Sequence, residues 1–401
     1  MKIPVVVSRL MLLGGLAAGA ATAPASHAAP VHGAWRVVAS PAVSGGSELF
    51  NVTALSHDNV WAVGAYGAQA ARTLIEHFDG SRWSVVGSPT AGKYANFLYS
   101  LAAVSPRDIW AVGTYYTRAN SGLRTLILHY DGTAWTRMHS PNVGTGNNGL
   151  GAVTVVPGTH QLWAVGDTTD PRTHLNRTLI LRYDGTGWSV VPSPNVGTYN
   201  NGLGGVAAVS ANHAWAVGGY NNTSGTYRAR FVLQWNGVAW QRASAPTGIT
   251  TTFNLLSRVI AISAHDVWAV GDEFTTIAEH YNGSGWRVVP TAKPPLTSSG
   301  GENTAILYDV SAASAADIWA VGIYYLYYNA AGGATRTLAE HWDGAAWHMV
   351  PSPNPDTTGP STGVQSNMLF GVAAVPGAGQ AWAVGRYLSQ GQPKVLVERY
   401  G

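Results

Sequence analysis

The stretch Leu203-Gly-Gly-Val206-Ala-Ala-Val-Ser210, Ala214-Trp215-Ala-Val-Gly218, Arg230-Phe-Val-Leu-Gln-Trp235-Asn236-Gly237 and Ala239-Trp240-Gln-Arg-Ala contains four short runs rich in apolar, β-branched and aromatic residues. Turn-forming residues separate the runs, so they read as four strands, and helical periodicity is absent along the whole chain. The joint at Trp235-Asn236-Gly237 tolerates positive φ at low cost and closes a tight hairpin, which makes the unit an antiparallel meander.

The unit is copied. Trp-Ala-Val-Gly starts at Trp61, Trp110, Trp163, Trp215, Trp268, Trp319 and Trp382, at intervals of 49 to 63 residues. Such spacing is the signature of one supersecondary element repeated around or along an axis. The Asp/Asn-Gly joint returns at Asp79, Asp131, Asp184, Asn282 and Asp343, and a Trp follows it each time at Trp83, Trp135, Trp188, Trp286 and Trp347. Trp235 and Trp342 are the aromatic before the turn, so of the 16 Trp only Trp35 is left over, and Ala34-Trp35-Arg-Val-Val-Ala-Ser-Pro41 matches the fourth strand Gly187-Trp188-Ser-Val-Val-Pro-Ser-Pro194. The seventh unit stops at Tyr400-Gly401, where its fourth strand should begin. A ring closes by such an exchange and removes unpaired edges. The expectation is an all-β, seven-bladed β-propeller of four-stranded antiparallel blades, the last blade combining residues 369–401 with roughly 33–39.

The order of runs, seen in Trp215-Ala-Val-Gly218-Gly219-Tyr220, Trp235-Asn236-Gly237 and Trp240, resembles the kelch repeat and the galactose-oxidase-like propellers over about residues 33–401. The double glycine of kelch is present only at Gly218-Gly219. The chain is more similar to the secreted Trp-Ala-Val-Gly repeat proteins of soil bacteria, a resemblance that implies a bacterial exported propeller without assigning an activity. Copper-radical chemistry in galactose-oxidase relatives requires a Cys–Tyr cross-link, and this chain has no Cys.

Charged residues make up 11% of the chain, below the usual quarter. Radially packed sheets that bury both faces account for this. Lys2 and Arg9, the apolar run from Leu10 and the small-residue end at Ser26-His27-Ala28 predict a secretory signal peptide over 1–28, followed by one domain over 29–401. Removing that leader lowers the formal net charge from +3 to +1, so the basic balance gives no argument for nucleic acid. No membrane span is expected, and a thiolate nucleophile or thiolate metal site is excluded.

Within a unit the first-to-second and third-to-fourth connections are short and alike, whereas the others vary. A meander places the variable connections on one face, which is where a rigid scaffold carries function. Tyr66, Tyr115, Tyr220, Tyr324 and Tyr387 recur there, with Thr168 and Glu273 at the same step in the other units. Tyr rings can stack on the apolar face of a sugar, although a residue that recurs in register also suits framework packing. Asn96, Asn148, Asn201, Asn254 and Asn367 precede the first strands and suit turn capping. Asp167, Asp170, Arg172, His174, Asp272, Glu273, Tyr325, Tyr327, Tyr328 and Arg386 break the repeat and complete the candidate set. Glu76, Glu279, Glu340 and Glu398 stand where three units have Leu128, Leu181 and Leu233, and His77, His129, His280 and His341 run beside them, but neighbours in a strand point to opposite faces and form no dyad.

No His-Glu-x-x-His, P-loop, Gly-x-Ser-x-Gly or dinucleotide fingerprint occurs. The expected function is that of a secreted, monomeric binding module that takes an extracellular glycan or protein on its variable face, with no cofactor and no metal. A polysaccharide lyase or glycoside hydrolase using Asp167, Asp272 and Glu273 is the alternative.

Overall fold

The computed structural model describes residues 33–401 except 69, 119–120, 223–228, 245–253, 274, 295–304, 330–331 and 357–364. The expected leader over 1–28 lies outside the described residues, as do the side chains of Tyr327 and Tyr328.

The strands follow the repeat. After β1 (Trp35–Val37), the first unit holds β2 (Ser47–Ser56), β3 (Asn59–Tyr66), β4 (Arg72–Phe78) and β5 (Trp83–Val85). The second holds β6 (Asn96–Ser105), β7 (Asp108–Arg118), β8 (Ser121–Tyr130) and β9 (Trp135–Arg137). The third holds β10 (Asn148–Val155), β11 (Leu162–Thr169), β12 (Asn176–Tyr183) and β13 (Trp188–Val191). The fourth holds β14 (Asn201–Ser210), β15 (His213–Tyr220), β16 (Ala229–Trp235) and β17 (Trp240–Ala243). The fifth holds β18 (Leu255–Ser263), β19 (Asp266–Asp272), β20 (Thr276–Tyr281) and β21 (Trp286–Val289). The sixth holds β22 (Ala305–Ser314), β23 (Asp317–Asn329), β24 (Gly332–Trp342) and β25 (Trp347–Met349), and the seventh β26 (Gln365–Val375), β27 (Gln380–Ser389) and β28 (Gln392–Tyr400).

Units one to five are separate four-stranded antiparallel blades, while the remaining eight strands share one sheet. This differs from the expected seven separate sheets, and the cause is local. The start of β24 lies beyond the reach of β25 and pairs in parallel with β26 at Ala334↔Gln365 and Thr335↔Ser366, although β5 and β9 cover as few residues of β4 and β8 in blades that stay separate. Within the same sheet β1 pairs antiparallel with β28, Trp35 facing Tyr400 and Val37 facing Glu398.

Indole packing holds neighbouring units together. The tetrapeptide Trp of one unit meets the fourth-strand Trp of the next, as in Trp61–Trp135 at 5.9 Å, Trp163–Trp240 at 5.2 Å and Trp215–Trp286 at 5.4 Å. Trp319 finds its partner in Trp35 at 5.2 Å, and Trp382 in Trp83 of the first unit at 5.4 Å. Each buried indole withdraws roughly 150–250 Å² from water, worth about 4–6 kcal/mol before entropy is counted.

The histidines of the third strands belong to this frame. His129 stacks on Trp110 at 4.1 Å, and Asp108 accepts hydrogen bonds from both side chains at 2.8 Å. Asp266 does the same for Trp268 and His280, as does Asn59 for Trp61 and His77. The neighbouring glutamates turn the other way and act as seam contacts. Glu76 accepts from Ser40 Oγ at 2.9 Å, Glu398 from Ser352 Oγ at 2.7 Å and Glu340 from Ala292 N at 3.1 Å. Burial pushes their carboxyls up, Glu76 to about 7 and Glu340 and Glu398 to about 8.

The tetrapeptide glycine has one job in every unit. A Cβ at Gly64, Gly113, Gly166, Gly218, Gly271, Gly322 or Gly385 would stand 1.8–2.0 Å from a carbonyl oxygen of the first strand. At that step the first strand carries a β-bulge in all seven copies, between Leu49/Asn51, Leu98/Ser100, Leu150/Ala152, Leu203/Gly205, Leu256/Arg258, Leu307/Asp309 and Leu369/Gly371. A bulge re-aims the residue it contains. Here those residues are Phe50, Tyr99, Gly151, Gly204, Ser257, Tyr308 and Phe370.

Candidate functional site

The bulge residues make an asymmetric mouth at the variable-connection end of the first strands. Four consecutive units supply an aromatic arc, with Tyr308–Phe370 at 5.6 Å, Phe370–Phe50 at 5.7 Å and Phe50–Tyr99 at 5.3 Å. Phe97 extends it by stacking on Tyr99 at 6.0 Å. The other three units supply only Gly151, Gly204 and Ser257. One side of the mouth is therefore a wall of rings and the other is backbone.

A polar plug lies one residue deeper. Arg258 donates to the carbonyls of Gly151 at 3.1 Å, Gly204 and Tyr99 at 3.4 Å, all bulge residues of other units, and its Nε stands 3.5 Å from Asp309. Asn51 donates to Asp309 at 2.9 Å, and Val372 N donates to the same carboxylate at 3.0 Å. Burial pushes Asp309 up to about 6 despite the guanidinium beside it. Below this plug, a 570 Å³ chamber lined by Val52, Leu101, Val153, Ile260 and Ser311 opens among the far halves of the same strands.

A second ring of positions follows the tetrapeptide glycine: Ala65, Thr114, Asp167, Gly219, Asp272, Ile323 and Arg386. Each stands beside the next unit's first strand. Arg386 reaches Glu48 at 3.0 Å and lies 6.0 Å above the Phe370 ring. Tyr308 is pushed up to about 12, first by burial and then by the nearby Tyr325 and Asp272. The mouth thus gathers Asp272, Tyr325 and Arg386 from the expected set around Tyr308.

Asp167 stands apart from that cluster, in a 290 Å³ hollow with Asn176, Asn200, Gly202, Gly219 and Tyr220. Burial alone pushes its carboxyl up to about 6. Glu273 is drawn into a network with Arg230 at 3.5 Å, and Arg230 also bonds Asn254 at 2.6 Å and Glu279. Asp170 accepts from the backbone of Arg172 at 2.8 Å and of Thr173 at 3.3 Å, holding a loop whose His174 has φ 58°. Asp170 and Arg172 line a separate 370 Å³ hollow with Val143, Thr169 and Arg177 and do not reach the mouth.

The recurrent residues pack as framework. Tyr66, Tyr115, Tyr220, Tyr324 and Tyr387 lie half-buried against the hydrophobic clusters between units. Asn96, Asn148, Asn201 and Asn367 accept from backbone N–H groups of the turns before them, as Asn148 does from Val143 at 2.8 Å. The aromatic arc and the Arg258 plug are absent from the expected set. Their signal was one column of the repeat, the residue after the first-strand Leu, which is aromatic in four copies and small in three. Among the described residues no group of three or more His, Cys, Asp or Glu stands where it could hold a metal ion, and no helix is long and apolar enough to cross a membrane.

The architecture and its axial mouth define an all-β propeller of four-stranded antiparallel blades. The sequence matches no protein family and no curated protein. Among solved structures the chain is similar to YCF48 bound to a D1 peptide, with 13% identity, coverage of 91% of this chain and 94% of that one, and TM-score 0.52. It is also similar to the GH74 xyloglucanase of Xanthomonas campestris, with 14% identity, 90% and 54% coverage, and TM-score 0.54. At these identities the likeness is one of fold.

Proposed function

We propose that this chain is a secreted binding module whose variable-connection face takes an extracellular glycan or protein at the axial mouth. The observation that carries the reading is the contiguous aromatic arc of Tyr308, Phe370, Phe50 and Tyr99 opposite Gly151, Gly204 and Ser257. Flat apolar rings bind sugar C–H faces or peptide side chains, and the facing backbone leaves room for them. That one neighbour is seen with a peptide and another is a xyloglucanase makes both ligand classes reasonable to test. The reading includes a leader over 1–28, a monomeric domain over 29–401 and no nucleic-acid partner. It also counts seven functional blades, treating the eight-stranded sheet as two meanders with β1 closing the second, on the strength of the sevenfold bulge.

Glycoside hydrolase or lyase chemistry at the same face is the second reading, favoured by Asp167, whose carboxyl burial holds at about 6. A hydrolase of the usual kind needs a second carboxylate roughly 5–9.5 Å away. Glycan and protein arrays, read for binding and for released reducing ends or unsaturated products, separate the two. Binding that Tyr308→Ala and Phe50→Ala both weaken, without product, supports the module. Product that Asp167→Asn abolishes establishes the enzyme. Binding indifferent to both arc substitutions removes the mouth as the site.

A further inference from the structure

The seam between the third and fourth units differs from its neighbours by subtraction. In the seam between the seventh and first units the facing positions hold Arg386 and Glu48, which pair at 3.0 Å. The same two positions here hold Asp167 and Gly202, and a Cβ placed on Gly202 meets nothing nearer than Asp167 Cβ at 4.0 Å. The carboxylate therefore faces space where the other seam has a partner. Gly204 and Gly219 complete the backbone wall, and Leu255 of the fifth unit supplies an apolar side.

The polar atoms around this hollow have a definite sense. Asn176 Oδ1 accepts from Thr169 Oγ1 at 3.0 Å, and Asn200 Oδ1 accepts from Asn176 N at 2.9 Å. With those oxygens committed, the two amides offer N–H donors while Asp167 offers an acceptor. An anion would meet Asp167, and a cation would meet the amide donors. A hydroxyl group donates to one and accepts from the other. The volume, 290 Å³, lies at the foot of the roughly 300–1,000 Å³ range of small-molecule sites, enough for one sugar ring.

We infer that the hollow between the third and fourth units is a subsite for a single neutral sugar ring, its hydroxyls held by Asp167, Asn176 and Asn200 and its apolar face set against Leu255 and Tyr220. This deepens the proposed function and rests on its glycan arm. Asp167 is half-buried and no hydrogen bond to it is seen among the described residues, which leaves its oxygens available to a hydroxyl donor.

The test titrates the protein with free glucose, galactose, mannose, xylose, arabinose and N-acetylglucosamine, alongside glucuronic acid and glucosamine, by ligand-observed NMR. One or more neutral sugars should bind, with affinity falling at least tenfold in Asp167→Asn and binding abolished in Gly202→Leu, at unchanged melting temperature. Should Gly202→Leu not fold, Asp167→Asn alone decides. No binding of a neutral sugar, equal binding by Asp167→Asn, or preference for the charged sugars overturns the subsite. A macromolecular ligand weakened by Tyr308→Ala but not by Asp167→Asn or Gly202→Leu overturns the subsite and leaves the mouth standing. Sugar binding lost in Asp167→Asn, with every ligand indifferent to Tyr308→Ala, does the reverse.

Discussion

Raising the pH from 5 to 8 should weaken this fold through its buried seam glutamates, and Glu398→Gln should remove a measurable part of that dependence. Glu398 is fully enclosed between the last two units, held by Ser352 Oγ at 2.7 Å, and its other oxygen has no hydrogen-bond partner. Its carboxyl moves from an ordinary 4.5 to about 8, with burial as the leading cause. The folded chain binds this proton more tightly than the unfolded chain. The stabilisation is therefore fully present below about pH 4.5, declines as pH rises and is gone above about 8. Within that window one such group changes stability by about 1.4 kcal/mol per pH unit, to an upper bound of roughly 5 kcal/mol. Glutamine keeps an oxygen for Ser352 and carries no titrating proton. Urea unfolding at pH 5, 6, 7 and 8 should give a shallower decline for Glu398→Gln than for the parent, by roughly 1 kcal/mol per unit. Parallel curves would show that Glu398 keeps an ordinary pKa and that the seam is wetter than its packing implies. Leu128, Leu181 and Leu233 occupy the same step in the second, third and fourth units, which shows that the site accommodates a side chain with no charge to desolvate.

Three further outcomes test the frame. Gly218→Ala places a Cβ 2.0 Å from Gly202 O and should cost about 3 kcal/mol by thermal unfolding, whereas Gly187→Ala, with nothing within 4 Å, should be close to neutral. Arg258→Met leaves Asp309 buried beside no cation and should cost about 3–5 kcal/mol in urea unfolding, much of it recovered by adding Asp309→Asn. Deleting residues 29–40 removes the partner of β28 and the ring that packs on Trp319, so the truncated protein should melt lower and aggregate, as light scattering would show. A truncated protein that stayed monodisperse with an unchanged melting temperature would place the Trp35 segment outside the fold's essential pairing.

The strands and their order were legible because each rule acted locally and was repeated. Asp79-Gly80, Asp131-Gly132 and Asp184-Gly185 close hairpins with glycine φ of 91–102°, as turn chemistry requires, and their aspartates accept from the backbone two and three residues on. The Trp35 segment carries the same side chains as Trp188 and its neighbours, and it pairs with β28. The joined sheet of the last two units was not. It depends on two parallel bridges between the start of β24 and Gln365–Ser366, and no repeated residue encodes them.

The aromatic arc was hidden for a physical reason. Trp, Ala, Val and Gly of the tetrapeptide are constrained by burial and by the carbonyl pressed against the glycine, so selection for the frame repeats them. That same glycine admits a bulge, and the bulge turns one first-strand residue per unit towards the axis. There Phe50, Tyr99, Tyr308 and Phe370 pack ring against ring between neighbouring units, whereas Gly204 has no room for a side chain because a Cβ would stand 2.9 Å from Ser257 O. Residues that recur, such as Tyr66 and Tyr115, attract attention in a repeat because they are regular, and regularity is what framework packing produces. In a ring of copies the informative column is the one where the copies disagree while the backbone around them is held identical.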